Sequence, residues 1–409
     1  MKILKVTQAH YPFQDRGGPA IKVRSIAREL VRQGHQVTVL AADLGFGRAE
    51  IATARVVRDA RGWRSQLDGV ESIYLATQCH YRNLTVNAGV ISFCLRRLCE
   101  FKVVHIYGLY DTLGPVVAKY CRQLGIPYFV EPLGMSRPID RGFLLKRAWK
   151  LIAKPYLSKA YKMVATSDLE RDELIAEGFP AGRVLLRYNG IDCQEFREPP
   201  SASGFRSSAG IRFGESFILF LGRLIPRKGA DLLIESLPRL GDEKIKIVIA
   251  GPEGESGYVS ALRAKARLFR VEDRVVFTGP LYGDDKKSAL VDAFVLALPS
   301  RYENFGNSAA EAIACGTPAV VTDRCGIAPF VDRRAGLVTP YESAGLARTL
   351  NELVENPHLY QQLKAGCSHV AEEIGWPSLV KDLQQSYVDA TEQIARRTEP
   401  MVEADKIAV

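Results

Sequence analysis

The 409-residue sequence lacks any apolar run of the roughly 20 residues that a membrane-spanning helix needs. Its start, Met1 to Phe13, lacks the apolar core and small-residue cleavage site of a secretory signal, and reads as a first strand. Its eight cysteines (79, 94, 99, 121, 193, 315, 325 and 367) form no Cys-x-x-Cys pair and are not matched with histidines. That pattern argues against a disulfide scaffold and against a zinc site, and predicts a chain kept in a reducing, cytoplasmic compartment. No nucleic-acid-binding motif accompanies its charge, so nucleic acid is not expected as a partner.

What is present is an ordinary globular balance: 47% hydrophobic and 25% charged residues. The length exceeds what one hydrophobic core serves, which predicts two domains and a small remainder. The net charge of +9 is unevenly spread: residues 141–162 carry seven Lys or Arg and no acid. Interleaved with Leu, Trp and Tyr, this stretch reads as a basic amphipathic helix. It is either a solvated face or a contact for an anionic membrane surface or a phosphate-bearing acceptor.

Short β-rich runs alternate with helical ones. Strands are expected at 3–7, 36–41, 72–76, 103–107, 128–131, 163–166 and 184–187. After a break they resume at 217–221, 245–250, 275–278, 294–298 and 319–322. Ile21, Val23, Ile26, Ala27, Leu30 and Val31 repeat with helical period before Gly34, and Ser167 with Glu170 forms a capping-box pair. Alternation of this kind predicts parallel sheets covered by helices on both faces. The expected division is a first domain over 1–195, a Pro/Ser/Gly-rich linker over 196–216 and a second domain over 217–375. A helix over 376–396 packing back on the first domain and a polar tail over 397–409 complete it. In such sheets ligands bind at the carboxyl ends of strands.

Three segments after predicted strands could carry chemistry. Gly17-Gly18-Pro19 precedes a helix; it is a plain tight turn or a close backbone approach to an anion. Gly222 and Arg223 open a turn that ends in Lys228 and Gly229, and those two cations beside a helix start could neutralise a diphosphate. The third is Ser300 to Glu311, "SRYENFGNSAAE", where Glu303 lies on the loop and Glu311 on the following helix. Gly306 and Asn307 fall where that helix begins, so their amides have no intrahelical partner. Two carboxylates can then reach one small pocket and accept hydrogen bonds from sugar and ribose hydroxyls. A metal there lacks a His or a third acid.

These segments, with "YNGID" at 188–192 and the Glu-x7-Glu spacing, resemble the retaining GT-B glycosyltransferases, glycosyltransferase family 4 (group 1), over nearly the whole chain. The resemblance implies two tandem Rossmann-like doubly wound domains with a cleft between them. It implies transfer of a sugar from a nucleotide diphosphate donor to a polysaccharide, lipopolysaccharide or lipid-linked acceptor, with retention of configuration. By the same resemblance Arg223 and Lys228 clamp the diphosphate, and Glu303 holds the donor sugar. Phe305, Gly306 and Asn307 present backbone amides, Glu311 takes the ribose, and Gly17 and Gly18 lie beside the phosphates. Asn189 with Gly190 belongs to the segment leading to the hinge. No cofactor is implied beyond the nucleotide sugar as co-substrate. No metal is implied either, and the chain has no Asp-x-Asp triplet of the kind metal-dependent GT-A enzymes use.

One departure stands out. Where family members commonly carry a His near the donor sugar, this chain reads "VEPLGM" and has Leu133. Glu131 beside it, and His105 after another strand, are the candidates for the acceptor side, although a lone His at a strand end is slightly more often structural than catalytic. Leu133 keeps open the alternative of a catalytically silent sugar-nucleotide-binding subunit, and the same fold leaves a second, a sugar-nucleotide 2-epimerase.

Overall fold

The computed structural model describes residues 1–13, 18–81, 84–135, 155–196, 203–212 and 214–407. Its contacts divide the chain into two units, Met1–Tyr188 with Leu379–Val409, and Asn189–Ser378.

The first unit is built on a nine-stranded sheet. Its strands are β1 (Lys2–Val6), β2 (Gln36–Ala42), β3 (Val57–Asp59), β4 (Gly62–Leu67), β5 (Val70–Leu75), β8 (Val103–Tyr107), β9 (Tyr128–Glu131), β10 (Lys162–Ala165) and β11 (Val184–Leu186). A separate two-stranded ribbon, β6 (Cys79–Tyr81) and β7 (Leu84–Val86), lies between β5 and β8 in sequence. The spatial order is β11-β10-β9-β8-β1-β2-β5-β4-β3. All neighbours are parallel except β3–β4 and β4–β5, which are antiparallel. The central strands are near-continuous apolar runs because helices cover both faces. The helix Gly18–Arg32 buries Ala20, Val23, Ile26, Ala27 and Leu30, one stripe of a 3.6-residue period. Ser167 caps the helix Asp168–Ala176 by accepting from the Glu170 amide.

The second unit has six parallel strands: β12 (Phe217–Leu221), β13 (Lys246–Ala250), β14 (Val275–Gly279), β15 (Val295–Leu298), β16 (Ala319–Thr322) and β17 (Gly336–Thr339). Their order is β14-β13-β12-β15-β16-β17, so the order reverses between β12 and β15. The loops after those two strands therefore lie side by side at the carboxyl end of the sheet, where sheets of this kind bind ligands.

Several expectations are corrected. The strands β3, β4, β6, β7 and β17 are not among those expected. The stretch over 203–212, expected as linker, folds into the second unit: Phe205 and Ile211 are buried, and Arg206 donates to the carbonyls of Glu215 and Asp292. Of the basic stretch, residues 141–154 lie outside the described residues. Its end is not a surface helix: Tyr156, Leu157 and Ala160 enter the first unit's core, and Lys162 begins β10. The last helix runs Trp376–Ile407, through the residues expected as a tail; Val380, Leu383, Tyr387 and Ala390 are buried, and Tyr387 reaches His105. Among the described residues no helix is long and apolar enough to cross a membrane.

Candidate functional site

The site forms in the second unit where the strand order reverses. After β12 the chain turns through Gly222, Arg223 and a 3₁₀ turn Pro226–Lys228 into the helix Ala230–Ser236. Gly229 closes the turn at φ +74°, and a Cβ there would lie 2.0 Å from the Pro299 carbonyl oxygen, so only glycine lets the two loops touch. Arg301 N–H donates to the Arg227 carbonyl at 2.8 Å and joins them further. Lys228 is thereby carried to the β15 loop, where its ammonium donates to the Glu303 carboxylate. Both side chains keep about a sixth of their surface open, 16% and 17%. Arg223, one turn back, is exposed and has no ion-pair partner among the described residues.

The loop holding Glu303 is itself fixed on both sides. Glu303 N–H donates to the Arg324 carbonyl, Gly326 N–H to the Glu303 carbonyl, and Ile327 N–H to the Phe305 carbonyl at 2.8 Å. Phe305 is buried beneath. Gly306, at φ +120°, is the N-cap of the helix Asn307–Ala314, whose first turn has no side-chain cap. A Cβ on Gly306 would meet Ile327 at 3.0 Å and Leu298 at 3.2 Å, so glycine is what lets the helix start this close to the sheet. Uncapped first-turn amides and the helix dipole make this end attractive to an anion. Asn189 donates from Nδ2 to the Asn307 Oδ1 at 2.6 Å and steadies the same helix start, while its own Oδ1 is buried without a partner.

Glu311 lies one turn further along. Lys286, from the first turn of the helix Gly283–Asp292, donates to its Oε1 at 2.9 Å. Burial pushes the Glu311 carboxyl above the ordinary carboxylate range, Lys286 opposes that, and the charge of Glu195 adds to it. The result is two ammonium–carboxylate pairs, Lys228–Glu303 and Lys286–Glu311, on either side of one open helix start. Arg223, Lys228, Gly222, Glu303, Phe305, Gly306, Asn307, Asn189 and Glu311 all belong to this one unit. Lys286 is not legible as a participant in the sequence: "DDKK" reads as charges on a solvated helix face. Among the described residues no three His, Cys, Asp or Glu gather as metal ligands.

The expected acceptor-side residues of the first unit stand elsewhere. Glu131 and His105 are fully buried, which corrects their reading as groups facing a ligand. Glu131 accepts from Lys22 at 2.6 Å and from Arg187, and its second oxygen lies 3.5 Å from His105 Nε2. Burial alone would raise the Glu131 carboxyl; Arg187 and Lys22 outweigh it and hold the group well below the ordinary range. His105 stacks on Tyr107 and contacts the Tyr387 hydroxyl at 2.5 Å through Nδ1, and burial lowers it to about 3. It is neutral and structural. Leu133 adopts φ +61° in the turn after β9, and Gly134 N–H donates to Glu170 at 2.5 Å. Gly18 begins the helix Gly18–Arg32 at the switch between β1 and β8, and Gly17 lies outside the described residues.

Comparison with known proteins agrees with this geometry. A model of the glycosyl transferase 4-like domain matches residues 17–190, and one of the glycosyl transferases group 1 matches residues 204–367. An uncharacterised glycosyltransferase of Methanocaldococcus jannaschii is 28% identical over 416 residues, covering 97% of this chain and 100% of that one. A D-inositol 3-phosphate glycosyltransferase of Streptomyces bingchenggensis is 30% identical over 56% of this chain and 53% of its own length, so that relative is matched over about half of itself. The structure of Anabaena HepE in complex with UDP and glucose superposes with a TM-score of 0.73 at 20% identity, over 95% of this chain and 100% of that one. The chain belongs to the group 1, family 4 glycosyltransferases, and its two α/β units are those of the GT-B fold.

Proposed function

We propose that the protein transfers a hexose from a nucleoside diphosphate sugar to a polysaccharide, lipopolysaccharide or lipid-linked acceptor, with retention of configuration and without a metal ion. The observation that carries this is the arrangement of Lys228–Glu303 and Lys286–Glu311 around the uncapped start of the helix Asn307–Ala314. It offers positive charge and amide donors to a diphosphate, and carboxylates to hydroxyls on either side. HepE, similar over nearly its whole length, is a UDP-binding protein of this fold, which supports a nucleotide-sugar donor.

In this reading Arg223 and Lys228 stabilise the charge that grows on the diphosphate as the glycosidic bond breaks, the largest rate effect open to such a site. They take the part that a divalent cation plays elsewhere. Glu303 orients the donor sugar, Glu311 the ribose, and Asn189 keeps the helix start in place. The basic stretch 141–162 suggests an acceptor presented at the inner face of a membrane; sedimentation with anionic vesicles at low salt and its loss at high salt tests that part.

The decisive experiment is thermal unfolding of wild type and Glu311→Ala with UDP, GDP, ADP and their sugars, followed by product analysis with the nucleotide sugar that binds. At ~100 times its Kd a ligand adds about 2.7 kcal/mol of stability. A shift in wild type that the variant lacks, with free nucleoside diphosphate formed only when acceptor is present, is the expected result. No shift with any nucleotide overturns the donor site. An epimerised sugar nucleotide in place of a transferred sugar overturns the transferase.

A further inference from the structure

The second ammonium–carboxylate pair joins Glu311, which belongs to the motifs that led to the site, to Lys286, which does not. Lys286 stands in the first turn of the helix Gly283–Asp292, which follows the carboxyl end of β14. Its Nζ lies 2.9 Å from Glu311 Oε1 and 6.0 Å from the centre of the Phe196 ring. Both members of the pair keep about a fifth of their surface open, 23% and 21%, so neither is sealed in the core. We infer that Lys286 is a positioning residue for the nucleotide: it fixes the Glu311 carboxylate as a charged acceptor for the ribose hydroxyls and so sets donor affinity. This rests on the reading of Glu311 as the ribose-binding group.

The physical argument concerns which groups face that carboxylate. Glu195, on the short helix Cys193–Phe196, acts on it with like charge. Cys315, one turn further along its own helix, has a thiol pushed up to about 12, by burial first and by Glu311 second. Lys287 acts on that thiol as well, and Lys286 is the cation bonded directly to the carboxylate. A carboxylate accepting from a hydroxyl binds more strongly when ionised than when protonated. Without Lys286, burial and Glu195 act on Glu311 unopposed by its bonded cation. The group then takes up a proton at a higher pH and loses its fixed rotamer. Lys286 thus acts on the ribose through Glu311, and the diphosphate is left to Arg223 and Lys228 at the other end of the helix start.

The test is isothermal titration of UDP, GDP and ADP, and of the 2′,3′-dideoxy analogue of whichever binds, against wild type, Lys286→Met, Lys286→Arg and Glu311→Gln. Lys286→Met is expected to weaken the ribonucleotide roughly tenfold at pH 7, the size of one charge-assisted hydrogen bond. Its loss should grow as the pH is lowered, because without its bonded cation the Glu311 carboxyl takes up a proton before that of wild type does. Lys286→Arg should restore most of the affinity, and the dideoxy analogue should bind wild type and Lys286→Met alike. A loss in Lys286→Met that persists with the dideoxy analogue would mean that Lys286 meets the phosphates or the base directly, and overturns the inference. So does a loss that is level with pH, or unchanged affinity in Lys286→Met alongside a weakened Glu311→Gln; the last leaves the ribose reading of Glu311 intact. If Glu311→Gln binds as wild type does, that underlying reading fails, and the inference with it. Circular dichroism melts of each variant show whether a loss comes from unfolding.

Discussion

Two carboxylates near the carboxyl ends of their strands meet lysines in this chain, and their surroundings give them opposite meanings. Glu131, ending β9, is sealed at 0% exposure between Lys22 and Arg187. Glu303, on the loop after β15, pairs with Lys228 while both stay partly open to solvent. Residue type and strand-end position are shared. What separates a structural ion cluster from a ligand site is whether water, and hence a hydroxyl or phosphate, can replace one partner. A sealed pair resists replacement because a stranded cation has no solvent to turn to. A half-open pair exchanges partners readily, and its intrinsic worth to stability is small.

The largest effect follows from that contrast. Glu131→Ala strands Lys22 and Arg187 in the interior, and urea unfolding should show a loss of about 3–5 kcal/mol. Glu303→Ala should cost under ~1 kcal/mol in the same assay. Equal losses would erase the distinction between the two carboxylates. Next in size is the mirror-image measurement. With the donor identified, Lys228→Ala or Arg223→Ala should lower turnover by roughly 10²–10³, the range for removing one group that stabilises developing charge. Both variants should unfold close to wild type.

The buried cluster contains a second, opposite signature in Lys5. It is fully buried in β1 and donates to the Tyr107 hydroxyl at 2.7 Å. Burial lowers its ammonium to about 7, against the pull of Glu131. The folded protein therefore releases this proton at a lower pH than the unfolded chain does. The destabilisation is full below pH 7 and is relieved as pH rises toward the ordinary lysine value, because over that range the unfolded state holds the extra proton. Between pH 7.5 and 9 the gain amounts to about 2 kcal/mol for one proton. Lys5→Met should flatten that rise, as read from the pH dependence of urea midpoints. An unchanged slope in Lys5→Met would mean that Lys5 stays charged in the folded protein, with Glu131 shared among three cations.

How much of this is legible in sequence follows the same division. The central parallel strands, such as "FILFL" and "VVHIY", are readable because strands buried on both faces are continuous apolar runs. The edge strand Val57–Asp59 and its neighbour Gly62–Leu67 are not, since "VRD" is exposed and "GWRSQL", only half-buried, carries Gly, Arg, Ser and Gln in place of an apolar run. The residues proposed for the donor side are readable as candidates because Lys228, Gly306 and Glu311 belong to contiguous loop-to-helix signals. Glu131 misleads for a physical reason: a polar residue at a strand end has the same local sequence whether its partners are Lys22 and Arg187, far away in the chain, or a ligand. Lys286 escapes the sequence for that reason too. Its partner is 25 residues away, and only the packing of two helices shows that they meet.

The smallest prediction sharpens the scale at its other end. Arg348 donates to Glu342 at 3.1 Å with side chains 71% and 55% exposed, a distance close to the 2.9 Å of Lys286–Glu311. If distance decided the worth of an ion pair, Arg348→Ala should cost as much as breaking Lys286–Glu311. If exposure decides, water and salt screen the pair, the side-chain entropy of holding it cancels the attraction, and the loss should stay below ~0.5 kcal/mol. Urea unfolding at low salt and at about 0.5 M salt distinguishes the two. A measurable, salt-sensitive loss at Arg348 would mean that half-open pairs such as Lys228–Glu303 also bind their partners more tightly than exchange with a ligand allows. The ground for separating site from scaffold by burial would then be gone.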